Sequence, residues 1–434
     1  MTKRVVRIAN AGGYWGDDPD AFVDQVNGGP IDYLTADYLA EITMVLLQKM
    51  RAKDPGRGYA LDFVAAAAAV LPALLRKRIR LVTNAGGVHP RACADALERA
   101  AARLGLAPRI AVVDGAEVDA ARFRPPNADT GEPFEAIAGR LASSYAYLGA
   151  RGIAEALARG ADVVITGRVA DASLTLGPLV HELGWAWDDW DRLAAGTVAG
   201  HVLECGAQAS GGNATDWASF DLARVGYPIA EVDEDGAVVI TKHPGSGGAV
   251  TRSTVVEQLL YEIGDPRAYA TPDVTADFTS IEALDLGGDR VALSGFRGVP
   301  PPPFLKAGLS YDLGWKSAGT YLFGPPDALE KALRMAEIFW ARLGTDFEDR
   351  LTETFGHAIR EASGSPTEGR ADTSIHVRLA EGLGRRWSVS RAASPPSLSR
   401  DLPGSPSREA GGRRCKRCTA SGRRSFRATR WRRS

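Results

Sequence analysis

The sequence predicts an α/β protein: a mainly parallel sheet of βαβ units, then a smaller α+β domain and a disordered basic tail. Short β-branched runs alternate with amphipathic helical patterns through the first 184 residues, as in βαβ proteins. A length of 434 residues with 45% hydrophobic and 24% charged content suits a globular protein of more than one domain. Residues 385–434 have a different composition and are treated separately below.

Each element of the first domain is predicted from local periodicity. Strand-like runs occupy residues 4–10, 31–40 (the least regular), 79–85, 109–115 and 161–168. Helical patterns occupy residues 40–53, 60–77, 90–104, 134–159 and 172–184. The Ala-rich stretch 59–75 contains Pro72 and is too short for a membrane span, so we interpret it as a buried helix.

The second half of the chain is predicted to contain more loops. Residues 185–250 are loop-rich, with a hairpin about Asp235–Gly236. A helix over 253–263, several strands and a helix over 327–344 indicate the α+β domain. We therefore expect four segments: 1–250, 251–345, a variable segment 346–384 and the tail 385–434.

The tail is strongly basic, with 15 Lys and Arg against 2 Asp and Glu. It has almost no aliphatic residues and no period of 2 or 3.6, so it cannot bury enough apolar surface to fold. A nucleic-acid arm or a metal knuckle at Cys415 and Cys418 would be alternatives, but no second ligand pair follows. Because Arg, Ser, Pro, Gly and Ala dominate, we interpret the tail as the product of a shifted reading frame and expect no nucleic-acid partner.

The remaining composition indicates a cytoplasmic protein without a membrane partner. The N-terminal residues have no apolar block of an export signal, and two Cys in the first 384 residues fit a reducing compartment. Trp185, Trp187 and Trp190 form a cluster typical of a core or an interface, which suggests a homo-oligomer.

The tetrapeptide Asn-Ala-Gly-Gly occurs twice, each time at the end of a predicted strand. In a parallel sheet, ligands bind beyond the carboxyl ends of the strands, and Gly-Gly allows close approach of the backbone. We expect these turns to share one rim with the segment Thr-Gly-Arg-Val-Ala-Asp. The candidate substrate-binding residues are Asn10, Gly12, Gly13, Asn84, Gly86, Gly87 and Arg168, with Asp171 a candidate acid or base. The alternative is that each tetrapeptide merely forms a turn or caps a helix.

A second group of candidates lies in the segment His-Val-Leu-Glu-Cys. His201 and Glu204 are three residues apart and would share one face of a helix. Glu204 could orient the His201 imidazole for acid–base work, the two residues could bind a metal, or they could make a structural ion pair. Cys205 could be a nucleophile if its pKa were low. We retain His201 and Glu204 as catalytic candidates and predict no metal site.

Four further candidates lie after strands or in glycine clusters: Asp17 as a catalytic residue, and His89, Gly247 and Gly248 as substrate-binding residues. Asp17 comes after the first strand and is free to act as a base, because Asp18 before Pro19 resembles a helix cap. His89 follows the second Asn-Ala-Gly-Gly and precedes a helix that begins at Pro90. Gly247 and Gly248 could bind an anion through backbone N–H groups, or form a simple turn.

The chain lacks the glycine spacing of the dinucleotide fingerprint and of the P-loop, which argues against NAD and P-loop nucleotide cofactors. Several longer stretches are distinctive: "GYWGDDPDA", "IRLVTNAGGVHPRACADAL", "GADVVITGRVADASLTLGPLVHELGW", "WDRLAAGTVAGHVLECGAQASGG" and "ITKHPGSGGAVTRSTVVEQLLYEIGDPRAYATPDVTADF". In these stretches, over about residues 4–345, the chain resembles the acyclic terpene utilisation family AtuA, formerly a domain of unknown function.

The resemblance implies a role in citronellol and geraniol catabolism, which proceeds through CoA thioesters. We therefore expect an enzyme acting on a carboxylate or acyl-CoA, with CoA present only as part of the substrate. Arg168 would hold a carboxylate or phosphate, and hydration, lyase cleavage and hydrolysis are all open. The alternative is a non-catalytic accessory or small-molecule-binding subunit of a catabolic complex.

Overall fold

The structure, a computed structural model, describes residues 3–323, 327–343, 349–358, 371–381, 416–420 and 425–427. The chain divides into two compact units, one of residues 1–310 with 421–434 and one of residues 311–420. The predicted segments 346–384 and 385–434 lie largely outside the described residues.

The helices of the first unit are α1 Ala21–Gly28, α2 Glu41–Lys53, α3 Leu61–Lys77, α4 Pro90–Arg103, α5 Ala120–Phe123, α6 Glu135–Ala138, α7 Arg151–Ala158, α8 Ser173–Leu183, α9 Trp190–Leu203 and α10 Arg252–Leu260. Short 3-10 helices span Gly206–Ser210, Trp217–Ser219 and Leu222–Arg224. The strands are β1 Val5–Asn10, β2 Tyr33–Ala36, β3 Arg80–Thr83, β4 Ile110–Val113, β5 Leu141–Ala146, β6 Val163–Thr166, β7 Pro228–Asp233, β8 Val238–Lys242, β9 Tyr269–Ala270, β10 Thr275–Asp277, β11 Glu282–Asp285, β12 Val291–Ser294 and β13 Arg297–Val299. The strand β14, Lys306–Phe323, begins in this unit, and β18 is Ser425–Arg427.

A nine-stranded sheet with the order β11-β12-β8-β7-β1-β2-β3-β6-β4 organises the first unit. Strands β1, β2, β3, β6 and β4 are parallel to one another, whereas β7, β8, β12 and β11 add antiparallel pairs, beginning with β1–β7. This confirms the α/β class. Since β12 pairs with β8, the sheet continues past the predicted boundary at residue 250.

Two hydrophobic clusters cover the two faces of the sheet, because successive side chains of a strand point to opposite sides. Ile8, Val82 and Val164 lie in the cluster that includes α7, α8 and α9. Residues one position along each strand, Ala9, Leu81 and Ile165, lie in the cluster that includes α1, α3 and α4. Both faces are therefore buried, as expected of a parallel sheet.

Several helices form where their periodicity predicts them. The Ala-rich α3 contains Pro72 and buries Phe63, Ala67 and Leu71, which are spaced by four residues along one face. Helix α4 begins at Pro90, where the missing N–H needs no partner. Among the described helices, none is both long and apolar enough to cross a bilayer.

The single helix predicted over 134–159 is wrong. The structure has α6 over Glu135–Ala138, strand β5 over Leu141–Ala146 and α7 over Arg151–Ala158. Strand β5 pairs with β14, a partner far along the chain that local periodicity does not reveal. Residues 190–203, within the segment predicted as loop-rich, form the buried helix α9. The hairpin at Asp235–Gly236 is confirmed by the antiparallel pair β7–β8, and Gly236 has a φ of +86°.

The second unit contains α11 Ala328–Leu343, β15 Asp349–Ala358, β16 Ala371–Glu381 and β17 Lys416–Ala420. Strands β15 and β16 are antiparallel, and β16 also pairs with β14. Helix α11 buries Ala332 and Phe339 against Phe323.

Candidate functional site

The carboxyl ends of four neighbouring parallel strands lie along one rim of the main sheet. Asn10 at the end of β1 pairs with Thr35 of β2, Ala36 with Thr83 of β3, and Thr83 with Ile165 of β6. Both Asn-Ala-Gly-Gly turns and the Thr-Gly-Arg-Val-Ala-Asp segment follow these ends directly. The rim predicted from the sequence therefore exists, and it is the usual place for a ligand in an α/β sheet.

The side chain of Asn10 stabilises the first Asn-Ala-Gly-Gly turn by hydrogen bonds within the turn. The buried Asn10 side chain accepts the N–H of Gly12 at Oδ1 (2.9 Å) and donates to the Gly12 carbonyl through Nδ2 (3.1 Å). Both ends of this amide are therefore used within the turn, which fits the turn interpretation of Asn10 better than a substrate contact.

Asp37, directly after β2, joins the two turns. Its N–H donates to the carbonyl of Gly12 (2.8 Å), and its Oδ1 accepts from Asn84 Nδ2 (2.7 Å) and from the N–H of Leu39 (2.9 Å). Asn84 Oδ1 in turn accepts the N–H of Tyr38 at 2.8 Å. Burial raises the pKa of Asp37 well above its ordinary value, and the nearby carboxylate of Asp171 raises it further.

The second turn packs on the end of β6. A Cβ atom on Gly86 would lie 2.4 Å from the carbonyl oxygen of Thr166, and one on Gly167 would lie 3.1 Å from that of Gly87. Gly87 also has a φ of +55°, a conformation that side chains rarely adopt. Glycine is required in this turn for close backbone packing.

Arg168 follows the end of β6 at the rim and is only 2% exposed. Its Nη1 donates to Asp171 Oδ1, its guanidinium lies 4.3 Å from the ring centroid of Tyr147, and its buried Nε has no partner. Burial opposes the charge, but Asp171, Tyr147 and Asp37 together raise the pKa of Arg168 well above its ordinary value. The site therefore holds a permanent, incompletely paired cation.

Glu41 and Lys306 also contact Tyr147. The hydroxyl of Tyr147 donates to Glu41 Oε1 at 2.8 Å, and Lys306 Nζ lies 4.8 Å from the ring centroid. Burial opposes ionisation of Glu41, but the hydrogen bond from Tyr147 and the charges of Arg168 and Lys306 lower its pKa. One aromatic ring thus contacts two cations, one buried and one half-exposed.

The end of α9 and the residues after it pack closely against the rim. A Cβ on Gly200 would lie 2.5 Å from the carbonyl oxygen of Ala172, and a Cβ on Gly13 would lie 2.4 Å from backbone atoms of Cys205 and Gly206. The last turn of α9 therefore packs on the residue before α8, and the segment after α9 packs on the first Asn-Ala-Gly-Gly turn.

Asp17 lies beside this contact. Its Oδ2 accepts the N–H of Gly13 (2.8 Å), and its Oδ1 accepts from the Tyr227 hydroxyl (2.6 Å) and from the N–H of Asp18. Asp18 Oδ1 accepts the N–H of Asp20, one residue before α1 begins, so it supports the preceding turn and not the first turn of the helix. Asp17 is a structural acceptor as well as a candidate base.

His201 and Glu204 form a buried pair at the end of α9. His201 Nδ1 lies 3.0 Å from Glu204 Oε1, and His201 Nε2 lies 3.0 Å from the carbonyl oxygen of Gln258. Burial lowers the pKa of His201, but the charge and hydrogen bond of Glu204 outweigh it and leave the pKa raised. Burial raises the pKa of Glu204, and Asp171 contributes in the same direction. Glu204 Oε2 is buried without a partner.

The thiol of Cys205 does not suit a nucleophile, because burial and the neighbouring Glu204 raise its pKa. Among the described residues, no group of three or more His, Cys, Asp and Glu is arranged to hold a metal ion.

A family model for the acyclic terpene utilisation family protein AtuA matches residues 6–392. The chain belongs to this family. The match extends beyond the resemblance noted in the sequence and ends just inside the basic tail that begins at residue 385. Neither a curated protein nor a solved structure matches the chain significantly.

Three residues proposed from the sequence have other described contacts in this AtuA-family chain. His89 precedes α4 and places Nδ1 3.3 Å from the carbonyl of Arg57, in the loop between α2 and α3. The N–H groups of Gly247 and Gly248 donate to the carbonyls of Arg224 and Asp221, at 2.6 and 3.0 Å. These two glycines form a closed turn whose N–H groups are not available to an anion.

A cleft that is partly open to solvent adjoins the first turn of this AtuA-family chain. It is lined by Gly12, Tyr14, Asp17, Tyr38 and Asp62 among others. Asp17 and Tyr38 connect it to the rim, through Gly13 and Asn84 respectively.

Sequence reasoning missed Asp37 and Tyr147. Asp37 directly follows a buried four-residue strand, a signal that the longer predicted strand over 31–40 concealed. Tyr147 follows β5, which the sequence predicted as helix. Of the three clustered Trp residues, Trp185 is buried in the core and donates to the Glu234 carbonyl, whereas Trp187 and Trp190 are partly buried and pack against the same cluster.

Proposed function

We propose that this chain is an enzyme of acyclic terpene or branched-chain acid catabolism, with a carboxylate or acyl-CoA substrate bound at the rim. Membership of the acyclic terpene utilisation family supports the pathway. The rim supports an enzymatic role because it combines the buried cation Arg168, its carboxylate partner Asp171, and the buried pair of His201 and Glu204.

One observation carries the assignment of an anionic substrate. Arg168 is buried, and only its Nη1 edge has a described carboxylate partner, whereas Nε has none. A buried guanidinium with an unused donor is unfavourable unless a ligand or a bound water supplies the acceptor. A carboxylate, a phosphate or the carbonyl of a thioester would supply it.

The test is turnover of geranyl-, citronellyl- and isohexenyl-type CoA thioesters and of the free acids by the full chain. Product masses distinguish hydration, lyase cleavage and hydrolysis. We expect Arg168→Met to lower kcat/KM by about 10- to 100-fold. This corresponds to the loss of about 1.5–3 kcal/mol, the usual contribution of a hydrogen bond to a charged group. Arg99→Met, on the exposed face of α4, is the matched control.

The outcomes separate the proposals. No turnover of any compound, or full activity in Arg168→Met, would contradict the proposed enzyme. Saturable binding of a compound without turnover would instead support the non-catalytic, ligand-binding alternative. If Arg168→Met fails to fold, Arg168→Lys, which retains the positive charge, replaces it in this test.

A further inference from the structure

The ring nitrogens of His201 are both occupied, which determines where its protons are. Nε2 faces the carbonyl oxygen of Gln258 at 3.0 Å, and a carbonyl only accepts, so Nε2 carries a hydrogen. Nδ1 faces Glu204 Oε1 at 3.0 Å, so one proton lies between the imidazole and the carboxylate. His201 is 1% exposed, and it has no free nitrogen with which to meet a substrate.

Glu204 differs from its partner because only one of its oxygens is used. Oε1 contacts His201, whereas Oε2 is buried without a partner. The close packing of Gly200 on Ala172 brings this turn of α9 to the start of α8, beside Asp171. An unpaired carboxylate oxygen in that position is the acceptor that a substrate hydrogen or a bound water would complete.

We propose that Glu204 is the proton acceptor of the rim, acting through Oε2, and that His201 is a positioning residue. This assignment rests on the proposed function and reverses the expectation from the sequence, in which the imidazole was the acid–base group. In the step, an H–X bond of the substrate or of bound water breaks, its electron pair stays on X, and Oε2 gains the proton. Arg168 holds the anionic group beside it.

Opposing effects act on the carboxyl of Glu204. Burial and Asp171 raise its pKa and outweigh the imidazolium of His201 and the guanidinium of Arg168, which lower it, so the pKa of Glu204 is raised. A raised pKa makes a carboxylate a stronger proton acceptor. The charged and titratable groups that interact with this segment include His201, Asp171, Arg168, Cys205, Tyr269, Asp37 and Glu262.

The first experiment needs no substrate. The six His of the chain are labelled with ¹⁵N, and the His201 signals are assigned by their loss in His201→Gln. We expect both ring nitrogens of His201 to carry hydrogen at neutral pH. In Glu204→Gln, the pH at which the ring loses its second proton should fall, because the charge that raises it is gone. An unchanged titration would overturn the pairing.

The second experiment uses turnover of the CoA thioester panel. Glu204→Gln should lower kcat by about 100-fold or more with little change in KM. A rate loss of this size is usual when a general base is removed. Its matched control is Glu98→Gln, on the exposed face of α4. Glu204→Asp, which withdraws the carboxylate by one methylene, replaces Glu204→Gln if the latter does not fold and should lower kcat by at least about 10-fold.

His201→Gln distinguishes positioning from catalysis. Without the imidazolium, the pKa of Glu204 rises further, so the acidic limb of the kcat/KM profile should move to higher pH, with a smaller loss of kcat than in Glu204→Gln. Disappearance of that limb in His201→Gln would instead make His201 the base and overturn the assignment. Wild-type turnover with full activity in Glu204→Gln contradicts the assignment alone, whereas no wild-type turnover contradicts the proposed function.

Discussion

Asn84 and Asp37 form a hydrogen bond of 2.7 Å that joins two neighbouring strand ends beneath the rim. Asn84 is fully buried and uses both ends of its amide, one for Asp37 and one for the N–H of Tyr38. The backbone N–H of Asp37 also donates a hydrogen bond to the carbonyl of Gly12 in the first turn. The relative positions of the two Asn-Ala-Gly-Gly turns therefore depend on this pair.

Asn84→Ala should lower the free energy of unfolding by about 2–4 kcal/mol, because it leaves a carboxyl and an N–H buried without their partner and opens a small cavity. Urea unfolding followed by circular dichroism measures the change. Asn213→Ala, at an exposed position in a loop, should change stability by less than about 0.5 kcal/mol. Equal effects of the two substitutions would show that the pair does not hold the rim.

Asp37→Asn should change how stability depends on pH. Because the pKa of Asp37 is raised in the folded state, the folded protein keeps a proton that the unfolded chain loses above about pH 4. That contribution to stability is full below the unfolded pKa and is lost as the pH rises through the folded pKa. The amide introduced by this substitution cannot ionise, and its oxygen can still accept from Asn84.

The urea midpoint of wild type, measured from pH 4 to pH 8, should therefore fall more steeply than that of Asp37→Asn. Asp95→Asn, on the exposed face of α4, controls for the loss of one carboxyl. Parallel curves for wild type and Asp37→Asn would mean that Asp37 titrates normally.

Gly13→Ala should destabilise the protein by about 1–3 kcal/mol, since the added Cβ would lie 2.4 Å from the backbone at Cys205 and Gly206. Backbone atoms cannot turn aside as a flexible side chain can. Gly139→Ala is the matched control, because that glycine has nothing within 4 Å and a φ of −71°. If thermal unfolding finds both variants equally stable, the segment after α9 does not press on the first turn.

Cys205 should react slowly with iodoacetamide in the native protein at pH 7. Burial and Glu204 raise the pKa of the thiol, and the thiolate is the reactive form. Mass spectrometry of the Cys205 peptide measures the rate, with the urea-unfolded chain as reference. Alkylation as fast as in the unfolded chain would restore the nucleophile interpretation.

The sequence by itself determined the parallel half of the sheet and the common rim. Strands with short β-branched runs, each followed by an amphipathic helix, must run parallel, and parallel strands end at one edge. That argument requires only the local pattern around Asn10, Asn84 and Arg168, and the paired strands confirm it. Family membership, too, follows from the sequence blocks.

Only the tertiary structure decided which side chains are available. His201 and Glu204 look equivalent as an i, i+3 pair, and the difference comes from Gln258, 57 residues away, which occupies the second ring nitrogen. Likewise, Gly247 and Gly248 read as an anion-binding turn until Asp221 and Arg224 are seen to take their N–H groups. Hydrogen-bond partners distant in sequence carry no local periodicity, so burial and pairing, and with them the chemistry of each group, are fixed only when the chain folds.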